Sequence, residues 1–151
     1  MPQVFISYSV KDTAMAQKLY LALKMAGADP FLAEFDLHPG AVWKAEILNA
    51  LRSAPWVFFL ATPNSCPSQA VAHEIGASLA LNKKLIPLMH GVQPKDLPPW
   101  VNDRQAIDLM DGARVGQLIE NISKTIKSDA VTKAVVATAL ICFVLWVLTQ
   151  D

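Results

Sequence analysis

Between Glu46 and Asp96 the chain carries a single acidic side chain, Glu74, set in the stretch "SCPSQAVAHEIGASLALNKKLIPLM". A carboxylate can accept a proton, attack an electrophile or stabilise a cation that forms beside it. On a helix, Glu74 shares a face with Ala70, Val71 and Ser78, next to a stripe of Ala72, Ile75 and Leu79. No basic residue lies three or four positions away to pair with it. From this pattern two readings stand: a solvated surface glutamate, or an anion set into an apolar wall.

Other residue groups bear on chemistry more weakly. Neither a GxGxxG nor a GxxxxGK[ST] glycine cradle for phosphate is present. The loop "SYSVKD" is serine-rich instead, and reads either as a cradle for phosphate or ribose or as a helix-capping loop. "DLHPG" reads as a mobile loop over a cleft or as a turn that delivers the chain into a helix. His38, inside it, has no acid–base partner at a useful spacing. Ser65, Cys66 and His73 evoke nucleophilic catalysis, yet no GxSxG elbow and no orienting partner for the histidine accompany them. Three scattered histidines and two distant cysteines give no metal-ligand spacing and no disulfide framework.

These residues need a frame, and the first 128 positions alternate between strand and helix signals. "QVFISY" reads as a buried strand. Asp12 is placed to cap a helix whose Ala16, Leu19, Tyr20, Leu23 and Ala26 form one apolar face, and Gly27 ends it. "DPFLAEF" is a second strand candidate. A helix from about Val42 to Ser53 presents Trp43, Ile47 and Leu51. "PWVFFLAT", apolar on both faces, belongs mid-sheet. The helix of Glu74 follows, then strands "KLIPLM" and "QAIDL", and a last amphipathic helix bearing Val115, Leu118, Ile119, Ile122 and Ile126. Such alternation predicts an α/β fold, a flavodoxin-like five-stranded parallel sheet with helices on both faces, and ligands beyond the carboxyl ends of its strands.

Composition narrows the partners. Thirteen basic and 13 acidic residues balance to zero over 151 positions, so no field of one sign is available to hold nucleic acid. Hydrophobic residues make up 53%, and the mean hydropathy is +0.32. The excess sits at the end, in "AVVATALICFVLWVLT". With Lys133 snorkelling, residues 130–149 form a span long enough for a bilayer, and Trp146 falls near its far boundary. The expected organisation is a domain over 1–128 and a C-terminal transmembrane helix over 129–151. Lys124, Lys127 and Lys133 place the domain on the cytoplasmic side by the positive-inside rule. A full-length chain is expected to need detergent, and one ending near Ser128 is not. The alternative is a terminal helix buried on the domain or on another chain. "MPQVFISYS" begins as a strand and lacks the basic region of a secretion signal.

Taken in order, "VFISYSVKD", "FLAEFDLHPGAVWKAEILNAL", "VFFLATPNS", "HEIGASLALNKKLIPLM" and "QAIDL" resemble the Toll/interleukin-1 receptor (TIR) domain family over about Gln3 to Ile126, the bacterial-type members most of all. The resemblance implies one of two roles: an adaptor that self-associates through TIR–TIR contacts, often by the loop that here reads "DLHPG", or an enzyme that cleaves the nicotinamide–ribose bond of NAD in a defence or stress response. NAD is then a substrate, and no cofactor or metal is implied. By position Glu74 is the catalytic glutamate. Ser7, Tyr8, Ser9, Phe35, Asp36, Pro39, Gly40, Trp43, Ser65 and Ala70 are implied to frame the dinucleotide cleft. One departure stands out. Where many family enzymes carry an aromatic residue four positions before the glutamate, this chain has Ala70, with Trp43 and Phe35 as alternative sources of a ring.

Overall fold

The computed structural model describes residues 3–32, 43–99, 101, 106–111 and 130–150. His38, Phe35, Asp36, Pro39 and Gly40, and the amphipathic stripe from Val115 to Ile126, lie outside them.

Five strands form one all-parallel sheet: β1 (Gln3–Ser7), β2 (Asp29–Phe31), β3 (Trp56–Ala61), β4 (Lys84–Met89) and β5 (Ile107–Asp108), in the spatial order β2-β1-β3-β4-β5. This is the flavodoxin-like order. All six residues of β3 are buried, as a central strand covered on both faces requires. Four helices are described: α1 (Thr13–Ala26), α2 (Trp43–Ser53), α3 (Gln69–Ala80) and α4 (Ala130–Leu148). The alternation of side chains along the strands divides the core in two. Val4, Ile6, Trp56, Phe58 and Leu60 meet α1 and α4 on one face. Phe5, Val57, Phe59 and Ala61 meet Leu51 of α2 and Val71 and Ile75 of α3 on the other.

Helix α1 buries Ala16, Leu19 and Leu23, and ends where Gly27 turns left-handed at φ 99°, with its N–H meeting the carbonyls of Leu23 and Lys24. An L-residue there would bring Cβ against the following carbonyl, which glycine avoids. At the other end Asp12 occupies the N-cap position but makes no capping bond. Its carboxylate is taken by Thr62 Oγ1 at 2.5 Å and Asn64 Nδ2 at 3.0 Å. These bonds tie the loop after β1 to the turn after β3.

Helix α4 is long and apolar enough to cross a membrane, and it is also docked on the domain, as in the alternative reading of the sequence. It is 19 residues long with a mean hydropathy of 2.3, and a third of that span is buried within the fold. Val136, Ala139, Leu140, Phe143, Val144 and Val147 join the core on the α1 side of the sheet. The spacing i, i+3, i+4, i+7, i+8, i+11 is one helical face, so a helix apolar all round has been docked by one side.

Candidate active site

The order β2-β1-β3 places a topological switch point between β1 and β3, where the loops leaving neighbouring strands run to opposite faces and open a crevice. A cleft of about 740 Å³ lies there, within the range of small-molecule sites. Its floor includes Phe5 of β1. Tyr8, Ser9, Val10 and Thr13 form the lip. One wall is α2, through Lys44, Ile47, Leu48 and Leu51, and the other is α3, through Ala70, Val71, His73, Glu74 and Ala77.

Ser68 sets the second wall. Its backbone is extended and its hydroxyl accepts the Val71 N–H at 3.3 Å, fixing the start of α3. The residues buried along α3 are Val71, Ile75 and Ser78, with the Ser78 hydroxyl donating to the Ile75 carbonyl at 2.7 Å. This stripe runs one position off the one expected from sequence, because Ser78 hides its hydroxyl against its own helix while Ala72 and Leu79 sit half-buried. Glu74 flanks it, half-buried and turned to the cleft. No described residue gives it a hydrogen bond or an ion pair, and burial alone pushes its carboxyl up to about 8 from 4.5. This apolar setting favours the uncharged form of the carboxyl.

The "SYSVKD" loop follows the capping reading in its backbone. Ser9 caps a short 3-10 turn, Val10–Asp12, by accepting the Lys11 N–H at 3.3 Å, and Thr13 Oγ1 donates to the Val10 carbonyl at 2.6 Å. Tyr8 and Ser9 nevertheless line the cleft, so capping and lining coincide. Ser7 does not line it. Its hydroxyl is wholly buried and has no hydrogen-bond partner among the described residues. Ser65 is also buried away from the lining. Its Oγ donates to the Leu60 carbonyl at 2.5 Å and accepts the Thr62 N–H at 2.8 Å, so the hydroxyl is spent on the turn after β3. Ala70 lines the cleft and offers only a methyl where the resemblance calls for a ring. Trp43 opens α2.

Of Ser65, Cys66 and His73, only His73 reaches the cleft. The Cys66 thiol is held up first by burial and then by the charge of Asp96, against a smaller opposing hydrogen bond from Ser65, which makes it a poor nucleophile. Among the described residues no group of three His, Cys, Asp or Glu side chains could hold a metal. Sequence reasoning passed over Lys44, the one lysine or arginine among the described lining residues. Its position, four residues before Leu48 and seven before Leu51 on the same helix, was the available signal.

A family model described as a TIR domain matches residues 4–137. A Brachypodium distachyon protein described as a probable 2' cyclic ADP-D-ribose synthase, BdTIR, is 29% identical over 97 residues, covering 63% of this chain and 43% of its own length. The chain therefore spans less than half of that curated relative. Among solved structures, the TIR domain of the Toll-related receptor TRR-2 from Hydra magnipapillata superposes with a TM-score of 0.69 at 19% identity, over 80% of this chain and 94% of that one. A metazoan TIR-STING receptor from C. gigas, solved with 2',3'-cGAMP, gives 0.65 at 26% identity, over 79% of this chain and 38% of that one.

Proposed function

The chain belongs to the TIR-domain family, and on that footing we propose that it cleaves the nicotinamide–ribose bond of NAD, with Glu74 as the catalytic group. The observation that carries this reading is a carboxylate, without a partner among the described residues, in an apolar cleft at the switch point of the sheet. Similarity to a probable cyclic ADP-ribose synthase supports the substrate class.

The chemistry suits one carboxylate. As the N-glycosidic bond breaks, positive charge builds on the ribose, as in glycoside hydrolysis. The nicotinamide ring is cationic in NAD and takes the bonding electron pair to leave neutral, so no general acid is required. Glu74 in its anionic form holds the ribose hydroxyls and stabilises the forming cation, an interaction strongest in the transition state. Water then captures the ribosyl carbon, giving ADP-ribose and a proton, or a hydroxyl of the same molecule does so, giving a cyclic product. The raised affinity of Glu74 for a proton is part of the device. A cationic ring entering the cleft favours the carboxylate, so the substrate charges its own catalytic group. Lys44, at the first turn of α2, supplies a positive charge for the pyrophosphate.

The domain works at a membrane through α4, on the cytoplasmic side, in a defence or stress response, with TIR–TIR contacts concentrating the clefts. Incubation of the full chain with NAD on lipid vesicles, followed by chromatography, tests the reading. Wild type should release nicotinamide with either ADP-ribose or its cyclic form, and Glu74→Ala should not. Equal release by both would end it.

Ala70 favours a second reading, a membrane-tethered interaction module without turnover, because the wall that would enclose nicotinamide ends in a methyl group. On that reading Pro39 or Gly40 substitutions abolish self-association, and Glu74→Ala changes nothing.

A further inference from the structure

Helix α4 has two faces with different surroundings. Its inner face, centred on Leu140 and Phe143, lies in the core beside Ala16, Leu19 and Leu23 of α1. Its outer face leaves Val131, Ile141, Leu145 and Leu148 in the open, at 72, 47, 58 and 38% exposure, with Cys142 exposed among them. A helix that covers a soluble domain carries polar residues outward; α1 has Lys18 and Lys24 there, beside exposed Leu21 and Met25. Between Lys133 and Asp151, α4 has no charged residue at all. Its 19 residues extend about 28 Å, close to the thickness of a bilayer's hydrocarbon core.

Neither environment serves the whole molecule. Docked, α4 leaves its outer half in water. In a bilayer both halves of α4 are in an apolar phase, while the α1 face loses its cover. The docked arrangement rests on the six buried residues of α4, Val136, Ala139, Leu140, Phe143, Val144 and Val147, with two contacts at its margin. Lys18 Nζ sits 5.7 Å from the Trp146 ring centroid, and Gly27 passes near Val135. An exposed cation–π contact of this kind is among the weaker interactions in a fold.

We propose that α4 is a conditional anchor: it docks on α1 when no bilayer is at hand and transfers to lipid when one is. The partner of its outer face is the hydrocarbon interior of a bilayer. The inference rests on the membrane part of the reading above and is independent of NAD cleavage. It adds that membrane attachment is reversible and is opposed by an internal contact.

The native thiol of Cys142 reports the transfer. In a full-length Cys66→Ser background it is the sole thiol. Without lipid, a water-soluble maleimide should label Cys142 on a folded, monomeric chain. With phosphatidylethanolamine–phosphatidylglycerol vesicles, the chain should float with the lipid and labelling should slow at least tenfold. The outer-face variant Ile141→Lys/Leu145→Lys should keep the docked fold, stay off the vesicles and label equally in both conditions. If wild type never floats with vesicles, α4 is a core helix, and the anchor reading falls with the inference. If wild type floats but shows no folded, labelled state without lipid, α4 is a permanent anchor and the inference alone is overturned.

Discussion

Replacing Glu74 with glutamine should make the domain's stability less dependent on pH, and the structure gives both the sign and the size. The folded domain holds the Glu74 proton up to about pH 8, whereas the unfolded chain loses it near 4.5. Between those values the native state binds one proton more than the unfolded state, so stability falls as pH rises. The slope is about −1.4 kcal/mol per pH unit, and the gap corresponds to a ceiling of about 5 kcal/mol. Water entering the mouth of the cleft lowers the realised figure, because Glu74 is half-buried rather than sealed. Glutamine is nearly isosteric and does not titrate. Urea unfolding of the full chain in mild detergent, at pH 5, 6.5 and 8.5, should show the two proteins within about 1 kcal/mol of each other at pH 5. By pH 8.5 wild type should be several kcal/mol the less stable. A constant difference across that range, or a wild type that gains on the glutamine variant as pH rises, would refute the reasoning. Either would mean that the carboxylate is solvated or paired in the native state.

Other expectations follow from the same geometry. For NAD cleavage, kcat/KM should rise with pH to a plateau, with a midpoint near 8 set by the free cleft. The midpoint of kcat should lie lower, because the bound cationic ring favours the carboxylate; steady-state nicotinamide release across pH checks both. Ala70→Trp should restore a ring beside Glu74 and lower KM for NAD several-fold, and an unchanged KM would show that another residue closes that end. Asp12→Ala removes the acceptor for Thr62 and Asn64 and should cost about 1–3 kcal/mol in denaturant unfolding, since both loops at the switch point depend on it.

The parts of the fold legible in the sequence are those with a local cause. The unbroken apolar run of β3, the stripe of α1 and the glycine at its end each follow from a periodicity or a backbone preference that a few neighbours fix. Asp12 shows where such rules stop. Its N-cap position was readable, but its side chain answers to Thr62 and Asn64, about fifty residues on. Ser65 shows the same from the other side. It resembles a site residue, yet its hydroxyl closes a turn between Leu60 and Thr62 that no spacing rule announces. The docking of α4 was illegible for a different reason. A helix apolar on every side has no stripe to show which side meets the domain, and only the complementary face of α1 decides it. Glu74 lies between these cases. Its isolation was plain in the sequence, while the cleft it faces is made by residues from β1, α2 and α3.

The most direct measurement is the rate of nicotinamide release from NAD by the full-length chain on vesicles, wild type beside Glu74→Gln, each first shown to be folded. Loss of the charge with the shape retained should lower kcat by at least about a hundredfold, the scale of a lost transition-state electrostatic contact. A glutamine variant that turned over NAD as fast as wild type would contradict the account.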